Sequence, residues 1–148
     1  MENKKVMNRI QDLGAVIALI LLVAVISIIS PEFRTVKNFL SLLRQSSING
    51  LIAFGMTCVI LTGGIDLSVG SVLALTTAIC ASLIANGTPV AIAMIIALVL
   101  GVVFGMISGI FVTKGRLQPF IATLITMTVF RGLTMIFMDG KPISNLGD

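Results

Sequence analysis

The sequence predicts an all-α fold, a polytopic integral membrane protein with about five transmembrane helices, and three observations carry that prediction. Apolar residues fill 57% of the 148 positions and charged residues only 11%, where a soluble domain carries about 25% charged. The charges cluster, leaving stretches of 19, 21 and 47 uncharged residues at 13–31, 45–65 and 67–113, against about 20 residues for one bilayer crossing. The longest stretch would measure roughly 70 Å as one helix, more than twice a hydrocarbon core of about 30 Å, so it must double back. Asn86-Gly87-Thr88-Pro89 is the helix-hostile place inside it, and its Gly and Pro suit a tight reversal.

The elements follow in order. Residues 1–12 form a polar head with Lys4, Lys5 and Arg9, and the first span covers about 13–29. A basic head before an apolar run is also the outline of a signal peptide. Here, however, the run exceeds the usual 7 to 15 or so residues, Pro31 stands where cleavage is expected, and more spans follow. Residues 31–45 make an amphipathic connector whose helix is expected to start at Asn38, a good N-cap, and to lie along the interface. The second span runs over about 46–61 and is stopped by Gly63-Gly64. The third covers 66–85, with Asp66 or Ser68 as its cap. The fourth covers 90–112 and ends at the basic loop Lys114-Gly115-Arg116. The fifth covers 119–138, with Pro119 in the first turn, where a missing N–H is harmless. Residues 139–148 are a polar tail without a further span, which reads as truncated.

Composition removes whole classes of chemistry. There is no His, Trp or Tyr, so His-based acid–base catalysis and a His/Cys zinc site are both excluded. Cys58 and Cys80 sit in apolar runs and read as small packing residues. No catalytic residue and no metal site is expected. The net charge of +4 does not indicate nucleic acid, because the basic residues flank loops and no aromatic residues are interleaved to stack bases. They act instead as topology signals: Lys and Arg in short loops stay cytoplasmic, which places the N-terminus and the 114–116 loop inside. Arg34, Lys37 and Arg44 then fall outside, offset only by Glu32.

In lipid, small residues at four-residue spacing mark helix contacts. The fourth span carries Gly101, Gly105 and Gly109 for helix packing, and the third carries Gly70, Ala74, Ala78 and Ser82. Both spans are expected to be buried in a multi-helix body. The first span, almost wholly branched aliphatic, is expected to face lipid.

The stretch Thr62-Gly63-Gly64-Ile65-Asp66-Leu67-Ser68-Val69-Gly70-Ser71 interrupts continuous apolar sequence with glycines, hydroxyls and the lone acid between Glu32 and Asp139. Broken helices at membrane depth are where transport proteins place pathways. Gly63, Gly64, Asp66, Ser68 and Gly70 are therefore candidates for lining or gating a pathway, with Arg131 in the fifth span beside them. Asp66 keeps two readings, a helix cap at the membrane surface and an intramembrane functional acid. Arg131 keeps three: snorkelling, pairing with another helix, or contact with a polar solute. Thr123, Thr126 and Thr128 add hydroxyls to the fifth span but bond readily to their own backbone. No phosphate-binding glycine loop is present, so any nucleotide must be held by another polypeptide. An ion-coupled carrier or channel using Asp66 is the alternative function.

The motif order is recognisable: Gly55-Met56-Thr57, Val59-Ile60-Leu61-Thr62, the run from Gly63 to Ser71, Lys114-Gly115-Arg116, Pro119-Phe120-Ile121-Ala122-Thr123-Leu124 and Arg131-Gly132-Leu133. It resembles the ribose transport permeases of the simple-sugar branch of bacterial ATP-binding cassette importers, over about residues 36–145. The resemblance implies a multi-pass inner-membrane subunit of about twice this length with around ten helices, of which this chain is the N-terminal half. It also implies a second permease subunit as a homodimer partner, surrounding lipid, a periplasmic sugar-binding protein and a cytoplasmic ATPase carrying ATP and Mg. The segment that docks on the ATPase is expected further downstream. Ile125 stands where many relatives carry Gly. The implied mechanism is alternating access, with sugar passing along a polar path and selected mainly by the binding protein.

Overall fold

The computed structural model describes residues 13–141. They form α1 (Gly14–Ile29), a 3-10 turn (Pro31–Arg34), α2 (Val36–Leu61), α3 (Val69–Ala85), α4 (Val90–Thr113) and α5 (Pro119–Phe137), with no strand among the described residues. The expected head over 1–12 and the tail beyond Lys141 lie outside them. The chain divides into two compact units, Met1–Leu51 and Ile52–Asp148.

In the first unit, α1 buries none of its residues. Its Leu, Ile and Val point in every direction, a pattern that suits a lipid surround and gives no preferred face for packing. Pro31 opens the 3-10 turn, and the start of α2 corrects two expectations. The cap is Thr35, whose Oγ1 accepts the Asn38 N–H at 3.2 Å and donates to the Glu32 carbonyl at 2.7 Å. Asn38 is the third residue of the helix, and its amide donates to the Phe33 carbonyl at 3.0 Å, bracing the turn. The connector helix expected from Asn38 and the segment expected as the second span are one helix, which begins at Val36 and runs unbroken for 26 residues. From Val36 to Gln45 the connector contains Leu, Lys, Arg and Gln, all good helix formers, and neither Pro nor Gly. At about 39 Å α2 is longer than a hydrocarbon core.

In the second unit α3 is central and packs on both α4 and α5, while α4 and α5 meet over a smaller area. The α5 stripe is Ala122, Thr123, Thr126, Phe130 and Thr134. The α4 face is Ala93 and Ser108, with Ala97 and Phe104 half-buried between them. Phe104 and Phe130 join α4 to α5, their ring centroids 4.9 Å apart and tilted by 41°, a favoured aromatic geometry. Buried hydroxyls (Ser68, Ser71, Thr76, Ser108, Thr123, Thr126, Thr134) outnumber buried apolar side chains (Leu75, Ala78, Ala93, Ala122, Phe130). That balance fits a membrane interior, where apolar burial adds little and interhelical hydrogen bonds and close packing hold helices together. No buried side-chain N or O among the described residues lacks a partner.

The small-residue stripes lie largely off the packed faces, Ala78 being the one stripe residue that is buried. On α3 the buried residues are Ser71, Leu75, Thr76 and Ala78, while Gly70 and Ala74 are exposed. On α4 Gly105 and Gly109 are exposed and Gly101 is half-buried. A Cβ added at any of the three would meet nothing within 4 Å, so they form no packing seam within this body. α4 as a whole buries only two residues, which corrects the expectation of a buried fourth helix. Cys58 is exposed and Cys80 intermediate, both as free thiols, so Cys58 is not a core packing residue among the described residues.

α4 and α5 are long and apolar enough to cross a membrane by length and composition, whereas α1 and α3 are apolar but shorter. At 17 residues α3 is about 26 Å long. It starts at Val69, three residues after the expected 66, because residues 64–68 are taken up by the break before it.

Candidate functional site

The break between α2 and α3 is built from two different helix signals set back to back. On the α2 side, Gly63 N–H bonds the Ile60 carbonyl at 2.9 Å and Gly64 N–H bonds the Val59 carbonyl at 3.1 Å, the double closure of a Schellman end. It requires the left-handed backbone of Gly63, at φ +77°. Thr62 completes the end by donating its hydroxyl to the Val59 carbonyl at 2.7 Å.

On the α3 side, Asp66 Oδ1 accepts the Ser68 backbone N–H at 2.8 Å and the Ser68 hydroxyl at 2.6 Å. This is an Asx turn that ends where α3 begins. Ser68 is 1% exposed and its carbonyl takes the Val72 N–H at 2.9 Å and the Ser71 hydroxyl at 2.7 Å. The hydrogen bonds that tie the break to the other helices all come from hydroxyls. Thr123 of α5 donates to the Ile65 carbonyl at 3.2 Å, sharing its proton with its own Pro119 carbonyl at 2.8 Å. Ser108 of α4 lies 3.3 Å from the Ser68 hydroxyl and donates to Thr126 of α5 at 3.0 Å. Irregular backbone away from water needs partners for its polar groups, and these side chains satisfy the Ile65 and Ser68 carbonyls.

The residues selected from sequence separate into two grooves and a buried hub. Gly64 and Asp66 line a groove of about 370 Å³ with Thr62, Gly105, Gly109 and Thr113. Arg131 and Gly70 line another, of about 430 Å³, with Ser71, Ala74 and Thr134. Ser68 is the hub, and Gly63 serves the backbone. Asp66 and Arg131 are not brought together. Ser108 was missed by sequence reading, although a lone hydroxyl within the apolar run of α4 was the available signal. Of the three α5 threonines, Thr123 and Thr126 are buried in the network, while Thr128 is exposed and bonds its own Leu124 carbonyl at 2.9 Å.

The Asp66 groove has a one-sided polarity. Each hydroxyl that lines it has committed its proton to the protein: Thr62 to Val59, Thr113 to Gly109 at 2.8 Å, Thr123 to Pro119, and Ser108 to Thr126. What remains toward the groove is lone pairs and a carboxylate. No Lys, Arg, Asn or Gln lines it. Such a wall accepts hydrogen bonds and offers none from its side chains, while Gly64, Gly105 and Gly109 leave room at its floor.

The family model described as "Branched-chain amino acid transport system / permease component" matches residues 38–142. The ribose import permease protein of Bacillus subtilis is 60% identical over 137 residues, covering 93% of this chain and 42% of that relative. Its counterpart in Haemophilus influenzae is 55% identical over 86% of this chain and 40% of that protein. The one in Escherichia coli K12 is 48% identical over 88% and 40%. The chain thus spans about two fifths of the length of the curated relatives it matches. No solved structure matches it. With the family match running through α2, the break and all three helices packed around it, the chain belongs to the transport-system permease component family and is a membrane protein.

Proposed function

We propose that this chain is part of the membrane-spanning permease subunit of an ATP-driven importer of a ribose-type monosaccharide, and that the Asp66 groove borders the sugar's path. The family description names amino acids and the three relatives are ribose permeases, so the chemistry of the groove matters. Its acceptor-only wall is the observation that carries the reading toward sugar. A pentose offers several hydroxyl donors to such a wall, whereas an amino acid brings a carboxylate that needs donors this groove's side chains lack. Movement follows from the break: a helix interrupted by Gly63 and held by single hydroxyl contacts can change its setting without unpacking α3 from α4 and α5.

The proposed assembly has a second permease subunit as a homodimer partner in a bacterial inner membrane, with the N-terminus cytoplasmic. A separate cytoplasmic ATPase binds ATP and Mg, and a periplasmic protein delivers the sugar. The test is uptake into proteoliposomes containing the full-length permease with its ATPase and binding protein. Ribose uptake that requires internal ATP is the expected result. Uptake of leucine in its place, or ribose uptake driven by an ion gradient without ATP, refutes the proposal.

A further inference from the structure

We propose that Ser108 of α4 and Thr126 of α5 are positioning residues for Asp66, acting on it through Ser68. The proposal deepens the transport reading of the same groove and rests on it for its functional meaning, while its structural content can be tested separately.

Three hydroxyls on three elements stand in line and end at the only charge in the groove. Ser68, Thr126 and Ser108 are 1%, 2% and 4% exposed, so water does not substitute for any of them. Ser68 gives its proton to Asp66 Oδ1 at 2.6 Å, a short, charge-assisted bond. Ser108 then has one proton for three acceptors, its own Phe104 carbonyl at 3.5 Å and, on other elements, Thr126 Oγ1 at 3.0 Å and Ser68 Oγ at 3.3 Å. Thr126 commits its own to the Ala122 and Thr123 carbonyls at 3.3 and 3.2 Å. Turned toward Ser68, the Ser108 proton polarises the Ser68–Asp66 bond and fixes the carboxylate. Turned toward Thr126, it ties α4 to α5 and leaves Asp66 held by Ser68 alone. One rotor therefore links the setting of the carboxylate to the packing of two helices that Asp66 does not touch by hydrogen bond.

The test is amide hydrogen exchange of the 148-residue chain in lipid nanodiscs, read on the Ser68 amide that Asp66 Oδ1 holds at 2.8 Å. Ser108→Ala is expected to speed exchange by about fivefold, the scale of one modest hydrogen bond. Ser108→Thr, which keeps the hydroxyl, should return the rate to that of the native chain. Thr134→Ala is the control: it removes a buried α5 hydroxyl that bonds only its own Phe130 carbonyl and should leave the Ser68 amide unchanged. In an Asp66→Asn background, adding Ser108→Ala should produce less than its full effect, since coupled residues are not additive. If Ser108→Ala is not recovered folded, Thr126→Val reads the same line from its far end: it removes the competing acceptor, turns the Ser108 proton to Ser68 and should slow exchange of the Ser68 amide. Unchanged exchange, an equal rise with Thr134→Ala, or full additivity with Asp66→Asn overturns the proposal. Failure of the native assembly to take up ribose would instead refute the transport reading and leave this exchange result standing.

Discussion

Replacing Asp66 in a graded series separates its charge from its geometry. One oxygen, Oδ1, receives both Ser68 bonds, at 2.8 Å from the amide and 2.6 Å from the hydroxyl. Hydrogen bonds to charged groups contribute about 1.5–3 kcal/mol and neutral ones about 0.5–1.5. Asp66→Asn keeps an acceptor oxygen in place, so each bond weakens by about 1 kcal/mol and the pair by about 2. Asp66→Ala removes the acceptor of both bonds and orphans the amide of Ser68, a residue that is 1% exposed, so its cost should reach about 3 kcal/mol or more. The Ser68 hydroxyl partly escapes by turning to Ser108. The assay is reversible unfolding of the chain in mixed micelles with increasing SDS, followed by circular dichroism. The ordering native, Asn, Ala in falling stability supports the Asx turn as the start of α3. An Ala variant no less stable than the Asn variant would refute it.

Gly63→Ala should destabilise by about 1–2 kcal/mol, because a Cβ in the left-handed backbone conformation is strained even though it would meet nothing within 4 Å. Gly63→Asn should cost less in the same unfolding assay. Gly105→Val places a branched side chain where an added Cβ has open space, at the floor of the Asp66 groove. Its unfolding midpoint should stay within about 0.5 kcal/mol of native while ribose uptake by the full-length assembly falls at least several-fold. Phe130→Ala should lose the ring pair with Phe104, about 0.5–1.5 kcal/mol, plus the contacts of a cavity where the ring is 4% exposed. Phe130→Leu should recover much of that loss in the same titration.

The parts of this protein legible in its sequence are those that lipid itself dictates. A charge-free run of 47 residues has to fold back, and Asn86 to Pro89 is where the chain turns between α3 and α4. The break was legible for a related reason: two adjacent glycines and an acid cannot continue an apolar helix, and each glycine takes a role at the α2 end that a side chain would disturb. Packing faces were not legible. Spacing picks out small residues, but whether Gly70 or Ser71 faces a neighbour depends on where that neighbour sits, and a rotation of one residue moves the whole stripe. The continuity of α2 was not legible, because the charge at Arg44 bounds an uncharged stretch without opposing helix formation. Ser108 was missed because its importance lies in two partners, 40 and 18 residues away.

That distance bears on how the chain enters a bilayer during synthesis. When α2 and α3 have left the ribosome, the Ile65 carbonyl still awaits Thr123 of α5, and the Ser68 hydroxyl, already bonded to Asp66, still awaits Ser108 of α4. Biogenesis therefore cannot complete this region one hairpin at a time: the insertion machinery must shelter a wet, half-made joint until Thr123 arrives. A chain stalled short of that residue should be extracted and degraded, whereas one stalled just beyond it should persist.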